Sequence, residues 1–198
     1  MRWSREPACP CCSGETIGRR GMIRAALGGL ACAAAAPAAS GIFTSALAAS
    51  EATRSLSVRR VQTGDIFEGI YWRDGRYDTD ALRRLDWVFR DPSLDEATPM
   101  DPRLFDVMHV LARRMDSAEP YEVISGYRAP ETNASRAMRS RRVSRVSLHM
   151  SGMAADVRLP GRDSLQLARL AAELQAGGVG LYRRDGFVHV DCGPTRRW

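Results

Sequence analysis

Three side chains in this sequence have the types and spacing to hold one metal ion. His149 and Asp156 stand seven positions apart in Ser147-Leu148-His149-Met150-Ser151-Gly152-Met153-Ala154-Ala155-Asp156-Val157, and His189 lies in Phe187-Val188-His189-Val190-Asp191. The chain has only three histidines, so two of them falling into one ligand pattern carries weight. Two imidazole nitrogens and one carboxylate oxygen leave a fourth tetrahedral position for water, which distinguishes a catalytic zinc from a closed structural one. Zinc held in that way brings the pKa of its water to roughly 7 and polarises a carbonyl, chemistry suited to amide hydrolysis. His149 or Asp156 alone would read as a loop histidine or a turn aspartate. Asp156, however, sits in the strand-like run Ala155-Asp156-Val157-Arg158-Leu159, where a buried carboxylate is costly without a partner.

The elements that must position these groups are legible from periodicity. Ser55 to Val61 alternates weakly, and Asp65 to Tyr77 reads as a hairpin turning at Asp74-Gly75. Asp78 or Asp80 caps a helix carrying Leu82, Leu85, Val88 and Phe89 on one face, with Pro92 as its stop. Asp101-Pro102 opens a second helix with Leu104, Phe105, Met108, Leu111, Ala112 and Met115 on its buried side. His109 lies at the edge of that stripe with no Glu or His at ligand spacing, and reads as a structural or surface histidine. Tyr121-Glu122-Val123-Ile124 is a short strand, and Pro130 to Ser147 reads as a helical turn and an exposed loop. Asp163 caps a helix ended by Gly177-Gly178. Val179 to Tyr182 and Phe187 to Val190 then form a hairpin through Arg184-Asp185-Gly186. Alternation on that last strand puts His189 and Asp191 on one face and Val188 and Val190 on the other, toward the core.

Two further residues are candidates for the chemistry. Arg128 emerges from a strand through Ser125-Gly126-Tyr127-Arg128, a position from which it could clamp a carboxylate or stabilise an oxyanion. Arg136, Arg139, Arg141, Arg142 and Arg145 form a charge run that reads as a solvated face, the functional alternative being a rim that attracts an acidic polymer.

The N-terminus reads as an export signal. Gly18-Arg19-Arg20-Gly21-Met22-Ile23-Arg24 precedes an Ala-rich apolar run from Ala25 to Ala39, and Ser45 to Ser50 offers small residues for cleavage. Residues 1–49 are therefore expected to be a cleavable twin-arginine-type signal peptide and residues 50–198 a single zinc peptidase domain in the periplasm. The apolar run is shorter than the roughly 20 residues of a membrane span and contains Pro37, so no stable anchor is expected after cleavage. The segment takes with it Cys9, Cys11, Cys12 and Cys32, leaving Cys192 alone and no disulfide. It also removes five arginines and two glutamates, lowering the formal charge from +6 to +3, too mild to argue for nucleic acid. All 29 basic residues are Arg; with no Lys, Schiff-base and P-loop lysine chemistry are excluded.

Ser125-Gly126-Tyr127-Arg128, His149-x6-Asp156, Gly177-Gly178-Val179-Gly180-Leu181-Tyr182 and Phe187-Val188-His189-Val190-Asp191-Cys192-Gly193-Pro194 together resemble the MepK/YcbK-like murein endopeptidases. These belong to the zinc D,D-peptidase superfamily, which also includes D-alanyl-D-alanine metallocarboxypeptidases. The resemblance runs from about Leu56 to Trp198. It implies a small α+β domain with an antiparallel sheet flanked by helices, and His149, Asp156 and His189 as zinc ligands on that sheet. Arg128 would match the family's arginine beside the substrate. The implied reaction is hydrolysis of peptidoglycan cross-links at bonds involving meso-diaminopimelate. Relatives often place Glu or Asp three residues before the last histidine, where this chain has Gly186. Asp185, four strand residues away, would lie roughly 13 Å from His189. Asp191 shares the face of His189 and is the better candidate for the general base, the alternative being a carboxylate that orients His189. Rival functions are a D,D-carboxypeptidase or dipeptidase acting on D-alanine termini, and a peptidoglycan-binding module without activity.

Overall fold

Alternation in β1 (Thr53–Arg60) buries Arg54, Leu56, Val58 and Arg60 and turns Thr53, Ser55 and Arg59 outward. β1 pairs with β2 (Ile66–Arg73), and Asp74 and Gly75, both at positive φ, make the two-residue turn into β3 (Arg76–Tyr77). The Asp78 carboxylate then accepts from the backbone N–H of Asp80 and Ala81 and starts α1 (Thr79–Val88), which buries Ala81, Leu85 and Val88. Asp101 and Pro102 start α2 (Pro102–Arg114), whose buried stripe is Leu104, Phe105, Met108, His109 and Leu111. β4 (Tyr121–Ser125), α3 (Pro130–Arg139), a single 3₁₀ turn over Leu148–Ser151 and β5 (Ala154–Arg158) follow. α4 (Ser164–Leu174), capped by Asp163, leads to β6 (Gly178–Tyr182), β7 (Phe187–Asp191) and β8 (Arg196–Arg197).

This computed structural model describes residues 52–141 and 143–198. The expected signal peptide over residues 1–49 and its four cysteines lie outside the described residues, as does Arg142. No helix of the described residues is long and apolar enough to cross a membrane.

The eight strands form one sheet in the order β3-β2-β1-β4-β5-β7-β6-β8. The expected antiparallel sheet is corrected here to a mixed one, because β1 pairs with β4 in parallel and β6 pairs with β8 in parallel. Both exceptions follow from connections that no local pattern announces. The chain between β1 and β4 makes a crossover containing α1 and α2, which returns it in the same direction. After β7, the chain crosses the end of β6 and lies along its other edge. α2 packs on β1, α4 packs on β6 and β7, and the two helices pack on each other. The core beneath them includes Val58, Tyr121, Val123, Val157, Val188 and Val190. Cys192 is also buried, which pushes its thiol up to about 12.

Two elements differ from their sequence expectations. α3 is a full ten-residue helix rather than a turn. Its buried side chains are Thr132 and Asn133, so it is anchored through polar groups and carries no apolar stripe to read. α4 ends at Gln175, which takes the left-handed conformation, and not at Gly177-Gly178. Those glycines instead allow close approach: a Cβ on Gly177 would lie 1.7 Å from the carbonyl oxygen of Asp191.

Candidate metal centre

His149, Asp156 and His189 come from three elements and converge. The Ser147 hydroxyl accepts the His149 backbone N–H and caps the 3₁₀ turn that carries this ligand; Gly152 leaves the turn in the left-handed conformation. A Cβ on Gly152 would lie 2.5 Å from the Pro99 carbonyl oxygen, so that turn is seated against the start of α2. Asp156 on β5 is the direct cross-strand partner of His189 on β7. One ligand atom from each of the three lies within 4.8 Å of the others, and all three are buried.

Hydrogen bonds fix which nitrogen of each ring faces the cluster. His149 Nδ1 lies 2.7 Å from the Gly126 carbonyl oxygen, so Nδ1–H donates there and Nε2 carries the lone pair, 3.4 Å from Asp156 Oδ1. His189 is reversed. Its Nε2 lies 2.9 Å from Asp191 Oδ2 and its Nδ1 lies 2.9 Å from Asp156 Oδ1. The donor set is therefore Nε2 of His149, Nδ1 of His189 and the Asp156 carboxylate. Metal–ligand bonds of about 2.1 Å in a tetrahedron separate ligand atoms by roughly 3.4 Å, so the three residues fit a divalent ion after small adjustment.

Without an ion the charges hold a proton on His189 Nδ1, which a metal would displace on binding. Burial lowers His149 below the ordinary imidazole range, against the pull of Asp156. Burial also works to raise Asp156, but the two facing imidazoles outweigh it and hold the carboxyl far below the usual range. His189 is raised to about 9, because its bonds to Asp156 and Asp191 overcome the effect of burial. Asp191 is also buried, yet its bond to His189 and the N–H groups of Gly178 and Gly193 lower it to about 2.

Arg128 stands beside the cluster, with Nη2 4.0 Å from Asp156 Oδ2. Asn133 Oδ1 accepts from it at 3.1 Å and Ser125 Oγ at 3.3 Å, and its backbone N–H donates to His149 O. Asp191 adjoins His189 on the side away from Asp156, with its side chain fully enclosed. Asp185 is exposed in the β6–β7 turn. His109, read as structural, is buried in α2 far from the ligands in sequence, its Nδ1 2.8 Å from the Ser55 carbonyl oxygen. Sequence reasoning missed Asn133, Arg196 and Trp198. The last two had a signal in the paired glycines of Gly178-Val179-Gly180, which leave room over one face of β6.

Fold and site together define a class: a single domain of mixed α/β content with a buried two-histidine, one-carboxylate cluster that could bind a metal ion. The comparisons narrow it. The chain belongs to the peptidase family described as Peptidoglycan L,D-endopeptidase MepK, whose model matches residues 48–198. The MepK protein of Escherichia coli strain K12, bearing that name, is 36% identical over 146 residues, covering 73% of this chain and 80% of the relative. The protein of the same name from Shigella flexneri gives the same figures. A Haemophilus influenzae protein described as "Probable peptidoglycan L,D-endopeptidase MepK" is 36% identical over 147 residues, 73% of this chain and 78% of the relative. No solved structure gives a significant match.

Proposed function

We propose that this chain is a zinc-dependent peptidoglycan endopeptidase that hydrolyses an L,D peptide cross-link, with the metal held by His149, Asp156 and His189. The observation that carries the reading is the convergence of one nitrogen from each of two oriented imidazoles on one carboxylate, in a chain whose relatives are named for this activity. Two nitrogens and one oxygen suit zinc and leave a coordination position open. When bound, such an ion supplies an activated water and polarises the scissile carbonyl. The stereochemistry in the relatives' names supports the choice of bond, an amide whose acyl side is an L centre and whose amine side is a D centre. Meso-diaminopimelate contains one centre of each hand, so a cross-link joining two copies of it meets that description.

The chain's own residues have separable tasks. Gly126 O and Asp191 fix the two ring orientations, and Asp156 neutralises charge in the cluster. Arg128, held by Asn133 and Ser125, presents a guanidinium beside the reacting region, where it would orient a substrate carbonyl or carboxylate. That position also suits a carboxypeptidase clamp, the second reading. The substrate puts the working enzyme in the periplasm, in line with the export signal read over residues 1–49.

Purified protein incubated with sacculi rich in L,D cross-links tests the proposal. Mass spectrometry should show L,D-linked dimers converted to monomers, with the conversion lost to a chelator and restored by zinc. Dimers that persist with zinc present would sink it, and release of terminal D-alanine alone would favour the carboxypeptidase.

Of the two roles open to Asp191, the geometry supports orientation of His189 over general base. Its two oxygens already accept from His189, Arg196, Gly178 and Gly193, and a carboxylate lowered to about 2 is a weak base. Asp191→Asn is therefore expected to weaken metal retention by roughly 10–100-fold. Full metal content with turnover abolished would return Asp191 to the base role.

A further inference from the structure

The face of β6 that carries two glycines and Tyr182 is covered by the segment that follows β7. Gly178 and Gly180 are both on this face, and each would meet something close if it bore a Cβ. At Gly178 the Cβ would lie 2.5 Å from Asp191 Oδ2 and 2.6 Å from Arg196 Nη1. At Gly180 it would lie 2.5 Å from Trp198 Cε2. Gly180 is also the cross-strand partner of His189, so whatever lies over it lies beside the third ligand.

Arg196 grips Asp191 through both oxygens, with Nη2 2.7 Å from Oδ2 and Nη1 3.1 Å from Oδ1, and Nη1 also donates to the Pro194 carbonyl at 2.9 Å. A two-pronged guanidinium sets the orientation of a carboxylate as well as its charge. The Trp198 ring centre is 5.2 Å from that of His189, and the Arg196 guanidinium lies 5.3 Å from the Trp198 ring. Trp198 is itself fixed by β-type bonds: its N–H donates to Val179 O at 3.1 Å and its carbonyl accepts from Leu181 N at 3.1 Å. Its indole Nε1 lies 3.4 Å from the Tyr182 hydroxyl.

We propose that Arg196 and Trp198 are positioning residues for the metal centre, acting on its third ligand from behind. Arg196 locks Asp191, Asp191 accepts the hydrogen bond of His189 Nε2–H, and Trp198 limits rotation of the ring, so that Nδ1 faces the metal position. The inference rests on the metal-site reading above. It adds two residues that act through Asp191 and the His189 ring, and assigns a purpose to the two glycines of β6.

The test uses the full chain and zinc(II) alone, titrated against a chromophoric chelator, with cobalt(II) spectra as a second readout. Arg196→Gln removes the two-pronged grip, and Gly180→Ala displaces the Trp198 ring while leaving the bonds among His189, Asp191 and Arg196 in place. Each variant that folds is expected to bind zinc roughly 10-fold or more weakly and to shift the cobalt bands, and Arg196→Gln, which leaves the enclosed Asp191 charge without its guanidinium, is also expected to melt lower than the parent. Arg196→Lys, which keeps the charge without the fork, should recover part of the affinity. If Arg196→Gln does not fold, Gly180→Ala and Trp198→Phe decide the question. Zinc affinity within twofold of the parent in the folded variants overturns the inference alone. A parent chain that takes up no zinc overturns the metal-site reading with it.

Discussion

Alanine at His189 is expected to leave a folded protein that retains no metal and loses roughly a thousandfold or more in kcat/KM on L,D-linked dimers. Metal activation of water and carbonyl is worth several kcal/mol, and each 1.36 kcal/mol is a factor of ten in rate. The loss is not confined to one bond. Asp156 is held far below the ordinary carboxylate range by His149 and His189 together, so removing one ring leaves a buried negative charge half compensated. The same outcome is expected for His149→Ala and Asp156→Ala, because a donor set of three cannot lose one and keep a tetrahedral ion with an open position. Asp185→Ala, on an exposed turn, is the control and should stay near parental activity. Metal content per chain after dialysis, measured beside dimer turnover, checks the set. A His189→Ala protein with bound zinc and normal turnover would refute the assignment.

Gly126→Ala is expected to damage both stability and metal affinity, because a methyl there would meet backbone. A Cβ there would lie 2.3 Å from the Phe89 carbonyl oxygen, 2.8 Å from Phe89 Cβ and 2.9 Å from its carbonyl carbon. The obstacle is backbone, and it is held in place: Tyr127 N donates to that same oxygen at 2.7 Å, while Phe89 is fully buried against Phe105. Nothing flexible can give way, so the strand end must move, at a cost of roughly 2–3 kcal/mol. In a domain of this size that is a fall of about 5–10 °C in melting temperature. Moving Gly126 also moves the acceptor of His149 Nδ1, so metal affinity should fall with stability. An unchanged melting curve would show that the strand end has more freedom than its packing indicates.

The His149, Asp156 and His189 cluster was legible in the sequence because each residue occupied a position where its type was costly or rare: two of three histidines, and an aspartate inside a strand. The helices α1, α2 and α4 were legible for a related reason, since an Asp cap followed by an apolar stripe has few other uses. What stayed hidden was non-local. The parallel pairing of Val58 with Tyr121 depends on the direction in which a long crossover returns, and nothing in either strand encodes it. α3 was hidden because Asn133 anchors it through the Ser144 carbonyl, so the periodic apolar signal was absent. The task of Asp191 was ambiguous because alternation puts it on the face of His189 without saying which ring nitrogen it meets. Only the hydrogen bond from Nε2, with Nδ1 toward Asp156, separates a base from a brace.

The position of β8 along the far edge of β6 has a consequence for the order of events in the cell. Every group that builds or steadies the centre, from Gly126 to Trp198, is made in the later part of synthesis, and the ring of His189 gains its cover from residues translated after it. A chain still on the ribosome can offer His149 and Asp156, a local pair seven positions apart, before the rest of the site exists. If the cluster holds an ion as proposed, its full donor set exists only once His189 has been made, and the cover of that ring only once β8 lies along β6.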